Sequence, residues 1–247
     1  SLMISFGQNG MSYPASSLIK VARLYAGGNS GSPLEECLWI NVWNSTMYQL
    51  KNDFESLVDY GFVFERIVLL LTKENFDTCW LGGTFKRKIY EMKLDKNQIV
   101  PAISPVGYRA QKRTMVDKFI RKAAESDNRK IFGTLFKDYN SFEPLSDTLE
   151  NPIMQCLELV RKGPSASNKQ PWRAFLNEDE VLFYLKRTQR YPSDNFPYDI
   201  QALDIGIALS NFTVGLEYLG FKYSYYKDNK AKEIDFLDYV LTVKIYN

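Results

Sequence analysis

A polar loop between a predicted helix and a predicted strand constrains the fold of this chain more than any other segment. Residues 162–173 read Lys-Gly-Pro-Ser-Ala-Ser-Asn-Lys-Gln-Pro-Trp-Arg and follow apolar residues at helical spacing. Two prolines fix the backbone of the loop. Its hydroxyl and amide side chains are Ser165, Ser167, Asn168 and Gln170. Because an amide donates and accepts hydrogen bonds in one plane, the loop suits the edge of a flat heterocycle, although an ordinary capping loop is the structural alternative.

The rest of the chain alternates between predicted helices and strands, which indicates an α+β protein. Helices are expected at residues 16–24, 48–59, 62–74, 113–125, 150–162 and 201–219. Strands are expected at residues 37–43, 78–82, 99–105, 172–176, 180–186 and 238–246, with a hairpin turn at Asn177-Glu178-Asp179. Gly220 stands where a helix C-terminal glycine belongs. Residues 126–150 read as a polar, irregular connector.

A degenerate internal repeat relates the two halves of the chain. Asp59-Tyr60-Gly61 recurs 145 residues later as Asp204-Ile205-Gly206, and the same offset carries Trp80 onto Tyr225. The repeat predicts a first half at residues 1–125, the connector at 126–150 and a second half at 151–247, which together would form a pseudo-dimer within one chain.

Composition excludes several classes of function. The chain contains no histidine, which excludes a histidine metal site and a serine-histidine relay. A net charge of +2 gives no reason to expect nucleic acid or an anionic membrane as a partner, and no apolar run is long enough to span a bilayer. No signal peptide opens the chain, and the three cysteines lack paired spacing. We therefore expect a cytoplasmic protein with reduced, mostly buried thiols.

Two motifs resemble those of a known family. Residues 164–172 resemble the Pro-Ser-x-x-Asn-x-Gln-Pro-Trp motif of the FMN-dependent nitroreductase superfamily, and Thr78-Cys79-Trp80-Leu81-Gly82-Gly83 is similar to that family's Thr-Cys-Trp-Leu-Gly-Gly segment. The resemblance covers residues 55–110 and 150–226 and is closest to the single-chain tandem group of thermophile nitroreductases. It implies a nitroreductase-like fold with central antiparallel or mixed sheets and flanking helices.

The resemblance also implies one FMN site between the two halves. One wall would be formed by Pro164, Ser165, Ser167, Asn168 and Gln170. The backbone of Leu81, Gly82 and Gly83 would form the other, since N–H groups of residues without Cβ can approach the flavin ring closely. Arg129 and Lys130 match the position of a pair that binds the FMN phosphate. Residues 1–15 contain no arginine, whereas the family has an Arg-x-Ser-x-Arg arm there.

The function implied is that of an FMN-dependent oxidoreductase. Hydride would pass from NAD(P)H through flavin N5 to a small acceptor such as a nitroaromatic or a quinone, with no catalytic side chain. The partner would be a small-molecule substrate, and the protein a monomer with an internal pseudo-dimer or a homodimer. The missing arginine arm motivates an alternative, a degenerate family member that binds flavin weakly or not at all and acts as a binding or regulatory protein. Reductive dehalogenation or flavin breakdown is a third possibility.

Overall fold

The computed structural model divides the chain into two compact units, residues 1–111 and residues 112–247. It describes residues 3–6, 11–14, 22–26 and 38–42 as backbone. Side chains are also described for residues 52–82, 99–108, 128–148, 150–188 and 197–246. Among these residues, no helix is long and apolar enough to cross a bilayer. The predicted helix at 113–125 lies outside the described residues.

The described residues of the first unit include a four-stranded antiparallel sheet and a long helix. Its elements are β1 (Met3–Phe6), β2 (Met11–Pro14), β3 (Ala22–Ala26), β4 (Leu38–Val42), α1 (Phe54–Lys73), β5 (Asp77–Thr78) and β6 (Ser104–Gly107). Strands β1 and β2 pair with each other, and the larger sheet has the order β3-β4-β6-β5. The predicted strand at 37–43 is confirmed as β4. The helix predicted at 16–24 is wrong where it overlaps β3.

Helix α1 replaces two helices that were predicted separately at 48–59 and 62–74. It begins after Asp53, whose carboxylate accepts a hydrogen bond from the N–H of Ser56 at 2.8 Å. Its buried face includes Leu57, Phe64 and Ile67. Gly61 lies inside the helix and is buried. Since an interior glycine costs only about 0.5–1 kcal/mol, burial of the apolar face is sufficient to keep the helix continuous.

The second unit is built on a five-stranded sheet with a long helix. Its elements are α2 (Phe132–Leu135), β7 (Phe136–Asp138), α3 (Pro152–Lys162), β8 (Trp172–Asn177), β9 (Glu180–Leu185), α4 (Ile200–Tyr218), β10 (Lys222–Tyr226) and β11 (Asp238–Tyr246). The strand order is β10-β11-β9-β8-β7. All neighbours are antiparallel except β7 and β8, which are parallel.

Most predictions for this unit are confirmed. The helices at 150–162 and 201–219 and the strands at 172–176, 180–186 and 238–246 match α3, α4, β8, β9 and β11. Gly220 has a φ of 85°, as its place after α4 requires. The expectation of an irregular segment at 126–150 is wrong, because it contains α2 and β7. A three-residue edge strand carries almost no periodic signal, and its pairing with β8 is a long-range contact.

The four-stranded sheet has the same topology as the four antiparallel strands β8–β11 of the five-stranded sheet. In each unit a hairpin is followed by a long helix, an edge strand and then a strand that inserts beside the hairpin. The offset of 145 residues carries Asp77, the first residue of β5, onto Lys222, the first residue of β10. An internal repeat would produce this equivalence. The pseudo-dimer and the boundaries of the predicted halves stay predictions.

Helices α3 and α4 approach each other closely at a glycine. A Cβ on Gly215 would lie 2.9 Å from Cys156 Sγ and 3.0 Å from Leu159 Cδ1. Cys156 is fully buried, whereas Cys79 is exposed, so the expectation of mostly buried thiols holds for only one of these two. The contact keeps α3, and with it the loop that follows, in a defined position on α4.

We expect Gly215→Val to destabilise the protein by about 1–3 kcal/mol, because the added side chain overpacks this contact. Urea unfolding of the variant measures the loss. The matched control places the same substitution in a Cys156→Ala background, where the missing sulfur leaves room. An equal loss in both backgrounds would show that the Cys156 contact is not the cause.

Candidate functional site

The polar loop leaves α3 at a buried glycine. The N–H of Gly163 donates to the carbonyl oxygens of Leu159 and Val160, both at 3.0 Å. A Cβ on Gly163 would lie 3.1 Å from Val160 O and 3.2 Å from Nδ2 of Asn211 on α4. The chain then forms a 3₁₀ turn at Ala166–Asn168 and enters β8 at the fully buried Trp172. The ends of the loop are therefore anchored by buried residues.

The loop backbone is strained. Three non-glycine residues have positive φ: 47° at Ser167, 52° at Asn168 and 49° at Gln170. Each such residue costs on the order of 1–3 kcal/mol and persists only when its surroundings hold it. Inside the loop, Ser165 O accepts from the N–H of Asn168 at 3.0 Å, and Ser165 Oγ accepts from the N–H of Gln170 at 2.9 Å. These two bonds make Ser165 the internal brace of the turn.

Arg129 and Lys130 lie directly against this loop. Arg129 Nη1 donates to Asn168 Oδ1 at 2.8 Å, and Nη2 donates to the carbonyl oxygen of Lys162 at 3.1 Å. The N–H of Lys130 donates to Gln170 Oε1 at 2.9 Å, and its Nζ donates to the carbonyl oxygen of Lys169 at 2.5 Å. The structure therefore brings together the loop residues and the cation pair that the sequence singled out separately.

The two loop amides are extensively bonded within the protein. Asn168 Nδ2 donates to the carbonyl oxygen of Asn128 at 2.6 Å. Gln170 is only 2% exposed, and its Nε2 lies 3.1 Å from Asn168 O and 3.3 Å from Asn128 O. Pro164 and Ser167 are exposed, and Ser165 is half-buried. In this conformation the amides of Asn168 and Gln170 hold the loop in shape, and the serines and Pro164 form its accessible part.

Positive charge accumulates beside the loop. Burial, and after it the neighbouring cations Arg173, Lys186 and Lys169, together lower the pKa of Lys130 to about 8. The largely buried Arg173 donates from Nη1 to the carbonyl oxygens of Gln170 at 3.0 Å and Trp172 at 2.5 Å. Because these cations disfavour one another, an anion placed among them would be stabilised.

Asp204 on α4 also contacts the loop, although the sequence marked it only as part of the repeat. Its Oδ1 accepts from the N–H of Ala166 at 2.9 Å. The carboxyl is 2% exposed, and Oδ2 has no hydrogen-bond partner among the described residues. Burial raises its pKa to about 8, against the lowering effect of the Ala166 bond, and Asp199 adds to the rise. A lone acidic residue within an apolar helical stretch is the signal that could have found it.

Leu81 and Gly82 lie in the first unit. The N–H of Leu81 donates to Ile103 O at 2.9 Å, and Ile103 returns the bond at 3.0 Å. Trp80 Nε1 donates to Glu65 Oε2 at 3.0 Å, which places this segment against α1. Gly83 lies outside the described residues. That these residues form the second wall of a flavin site stays a prediction.

The fold is that of a nitroreductase. The chain is similar to the crystal structure of a putative nitroreductase from Thermotoga maritima, with a TM-score of 0.52 and 20% identity over 98% of this chain and 87% of that chain. The family model described as "Putative TM nitroreductase" matches residues 27–216, and the chain belongs to this family. No curated protein matches the chain. The resemblance and the α+β nitroreductase-like fold that the sequence predicted are confirmed.

We expect the stability difference between the wild type and Asp204→Asn to depend on pH. The pKa of this carboxyl rises from an ordinary value of 3.8 to about 8 on folding, so the folded state binds the proton more tightly than the unfolded state. The stabilisation of the folded state that this proton provides is fully present below about pH 4 and is lost as the pH rises through 8. Asparagine cannot titrate, so the wild type should lose stability relative to the variant over this range.

Urea unfolding at about pH 5, 7 and 9 measures the effect. Parallel pH profiles for the two proteins would contradict the raised pKa.

Proposed function

We propose that this protein is an FMN-dependent oxidoreductase that passes hydride from NAD(P)H to a small acceptor such as a nitroaromatic or a quinone. Membership of the nitroreductase family supports an oxidoreductase role. The observation that carries the cofactor assignment is the strained polar loop at 163–171, held in shape beside a cluster of cations. Such a loop has hydroxyl and backbone groups that can bond to a flat ring, and the cations beside it can attract a phosphate.

The residues present fit FMN. Arg129 and Lys130 would face the phosphate, because a dianion beside Lys130, whose pKa neighbouring cations lower, gains charge-assisted hydrogen bonds. Ser165 and Ser167 would offer hydroxyls to the ribityl chain or the ring edge. Asn168 and Gln170 would maintain the loop conformation from behind, as their bonds to residues 128–130 indicate.

The chain itself supplies binding and orientation. When bound, the flavin supplies the hydride transfer at N5, which requires no side-chain acid or base. Cys156 does not serve as a nucleophile, because burial raises the pKa of its thiol to about 11 and the side chain is inaccessible. The absence of histidine from the chain agrees with a mechanism in which the cofactor carries the reactivity.

The second candidate is a binding or regulatory protein that has kept the fold and lost the flavin. One observation favours it specifically: the amides of Asn168 and Gln170 are bonded to residues 128–130. Residues 1–15 also contain no arginine for a phosphate. The two candidates differ in whether the purified protein holds flavin.

We expect the freshly purified protein to show the absorbance of bound flavin, at about one FMN per chain. Arg129→Ala and Lys130→Ala should each raise the Kd for FMN at least about tenfold, because each removes a charge-assisted contact to the phosphate. Quenching of FMN fluorescence measures the Kd. Lys244→Ala is the matched control, since it also removes one positive charge, but from a lysine on β11 that pairs with Asp179.

A colourless protein that also fails to take up added FMN would overturn the proposal in favour of the second candidate. Weakening by Lys244→Ala as large as that by Arg129→Ala would mean that net charge, and not the loop site, determines the affinity.

A further inference from the structure

We propose that Asp204 is a positioning residue of the flavin-binding loop, and that its hydrogen bond to Ala166 maintains the conformation of residues 165–170 to which FMN binds. This inference rests on the proposed function and deepens it. It adds a residue on α4, a helix that packs against the 3₁₀ turn of the loop.

The contacts of the loop divide between two supports. Residues 128–130 hold its C-terminal part through the side chains of Asn168 and Gln170. Its N-terminal part contains Ala166, the first residue of the 3₁₀ turn. The N–H of a first turn residue has no acceptor inside the turn and needs one from elsewhere. Asp204 Oδ1 is that acceptor, at 2.9 Å.

Packing alone does not account for this carboxyl. Asp204 lies among apolar neighbours on α4, such as Leu203 and Ile205, and is as buried as they are. Burying a carboxyl with one oxygen unpaired costs free energy that an apolar side chain would not. The strained backbone of the loop explains why a carboxyl is buried here. Three residues with positive φ follow Ala166, and strained backbone persists only where neighbouring groups hold it in place.

Asparagine is a close substitute for Asp204, because the carboxyl of Asp204 is mainly protonated at neutral pH. With a pKa of about 8, the carboxyl is mainly neutral at pH 7, so its bond to Ala166 does not depend on charge. Asp199, at the start of α4, is the charged group that acts on it, and Asp199 itself pairs with Arg187. No ion pair involves Asp204 in the described part of the chain. Asparagine keeps the acceptor oxygen and the shape of the side chain, whereas alanine removes both.

The test compares four variants of the full chain with the wild type. Asp204→Ala removes the acceptor, and Asp204→Asn keeps it. Ala166→Pro removes the donor without opening a cavity; proline is tolerated at the first position of a turn, and the preceding Ser165 is already extended, with φ −148° and ψ 157°. Ser210→Ala is the control, because it removes another fully buried polar group from α4 whose hydroxyl has no partner among the described residues.

Two measurements are made on each protein. Amide hydrogen exchange of residues 167–170 in the FMN-free protein reports the loop, and the Kd for FMN reports the site. We expect Asp204→Ala and Ala166→Pro to speed loop exchange and to raise the Kd at least about tenfold. Asp204→Asn and Ser210→Ala should stay within about threefold of the wild type in both measurements. Rescue by asparagine separates positioning from a general loss of packing.

Wild-type exchange and affinity in both Asp204→Ala and Ala166→Pro would overturn the proposal, as would a loss with Asp204→Asn equal to that with alanine. If Asp204→Ala does not fold, Ala166→Pro and Asp204→Asn still give the two opposite expectations. If the wild type binds no FMN, the proposed function fails, and so does the role of Asp204 in flavin binding. Hydrogen exchange then still shows whether Asp204 holds the loop, so the two failures remain distinct.

Discussion

The conformation of the loop between α3 and β8 is the constraint on which the rest of the site depends. Three of the four residues at 167–170 have positive φ although none is glycine, so the loop takes its shape from the elements around it. The parallel pairing of β7 with β8 provides one support. Parallel strands begin at the same edge of a sheet, which brings residues 128–130, just before α2 and β7, beside the loop that enters β8.

The local elements of the second unit could be predicted because their signals are local. Apolar spacing marked α3 and α4, alternating β-favouring residues marked β8, β9 and β11, and Gly220 marked the end of α4. The loop could be recognised from its polar motif, and Arg129 and Lys130 from the position of a phosphate-binding pair in the family that the chain resembles. Their mutual contact could not be predicted, because it depends on β7, a strand of three residues whose place in the sheet is set by pairing with a distant segment.

The role of Asp204 was hidden for a different physical reason. Helix α4 is buried on nearly all sides, so it has no apolar stripe and polar stripe from which an orientation could be inferred. The repeat drew attention to Asp204 only as the partner of Asp59. The close contact of Gly215 with α3 and the exit of the chain at Gly163 decide which face of α4 meets the 3₁₀ turn.

The bonds from Arg129 and Lys130 to the loop do not compete with a role in binding an anion. The guanidinium of Arg129 stays positively charged while it donates to Asn168 and to the carbonyl oxygen of Lys162. Three cations near Lys130 repel its charge and lower its pKa: Lys169, Arg173 and Lys186. No carboxylate of the described residues is among the groups that shift this pKa, so the folded protein bears the cost of the repulsion. An anionic ligand would relieve that cost while leaving the carbonyl contacts in place. In the proposed function the same cations therefore have two uses: their bonds give the loop its shape, and their charge would favour the binding of a phosphate.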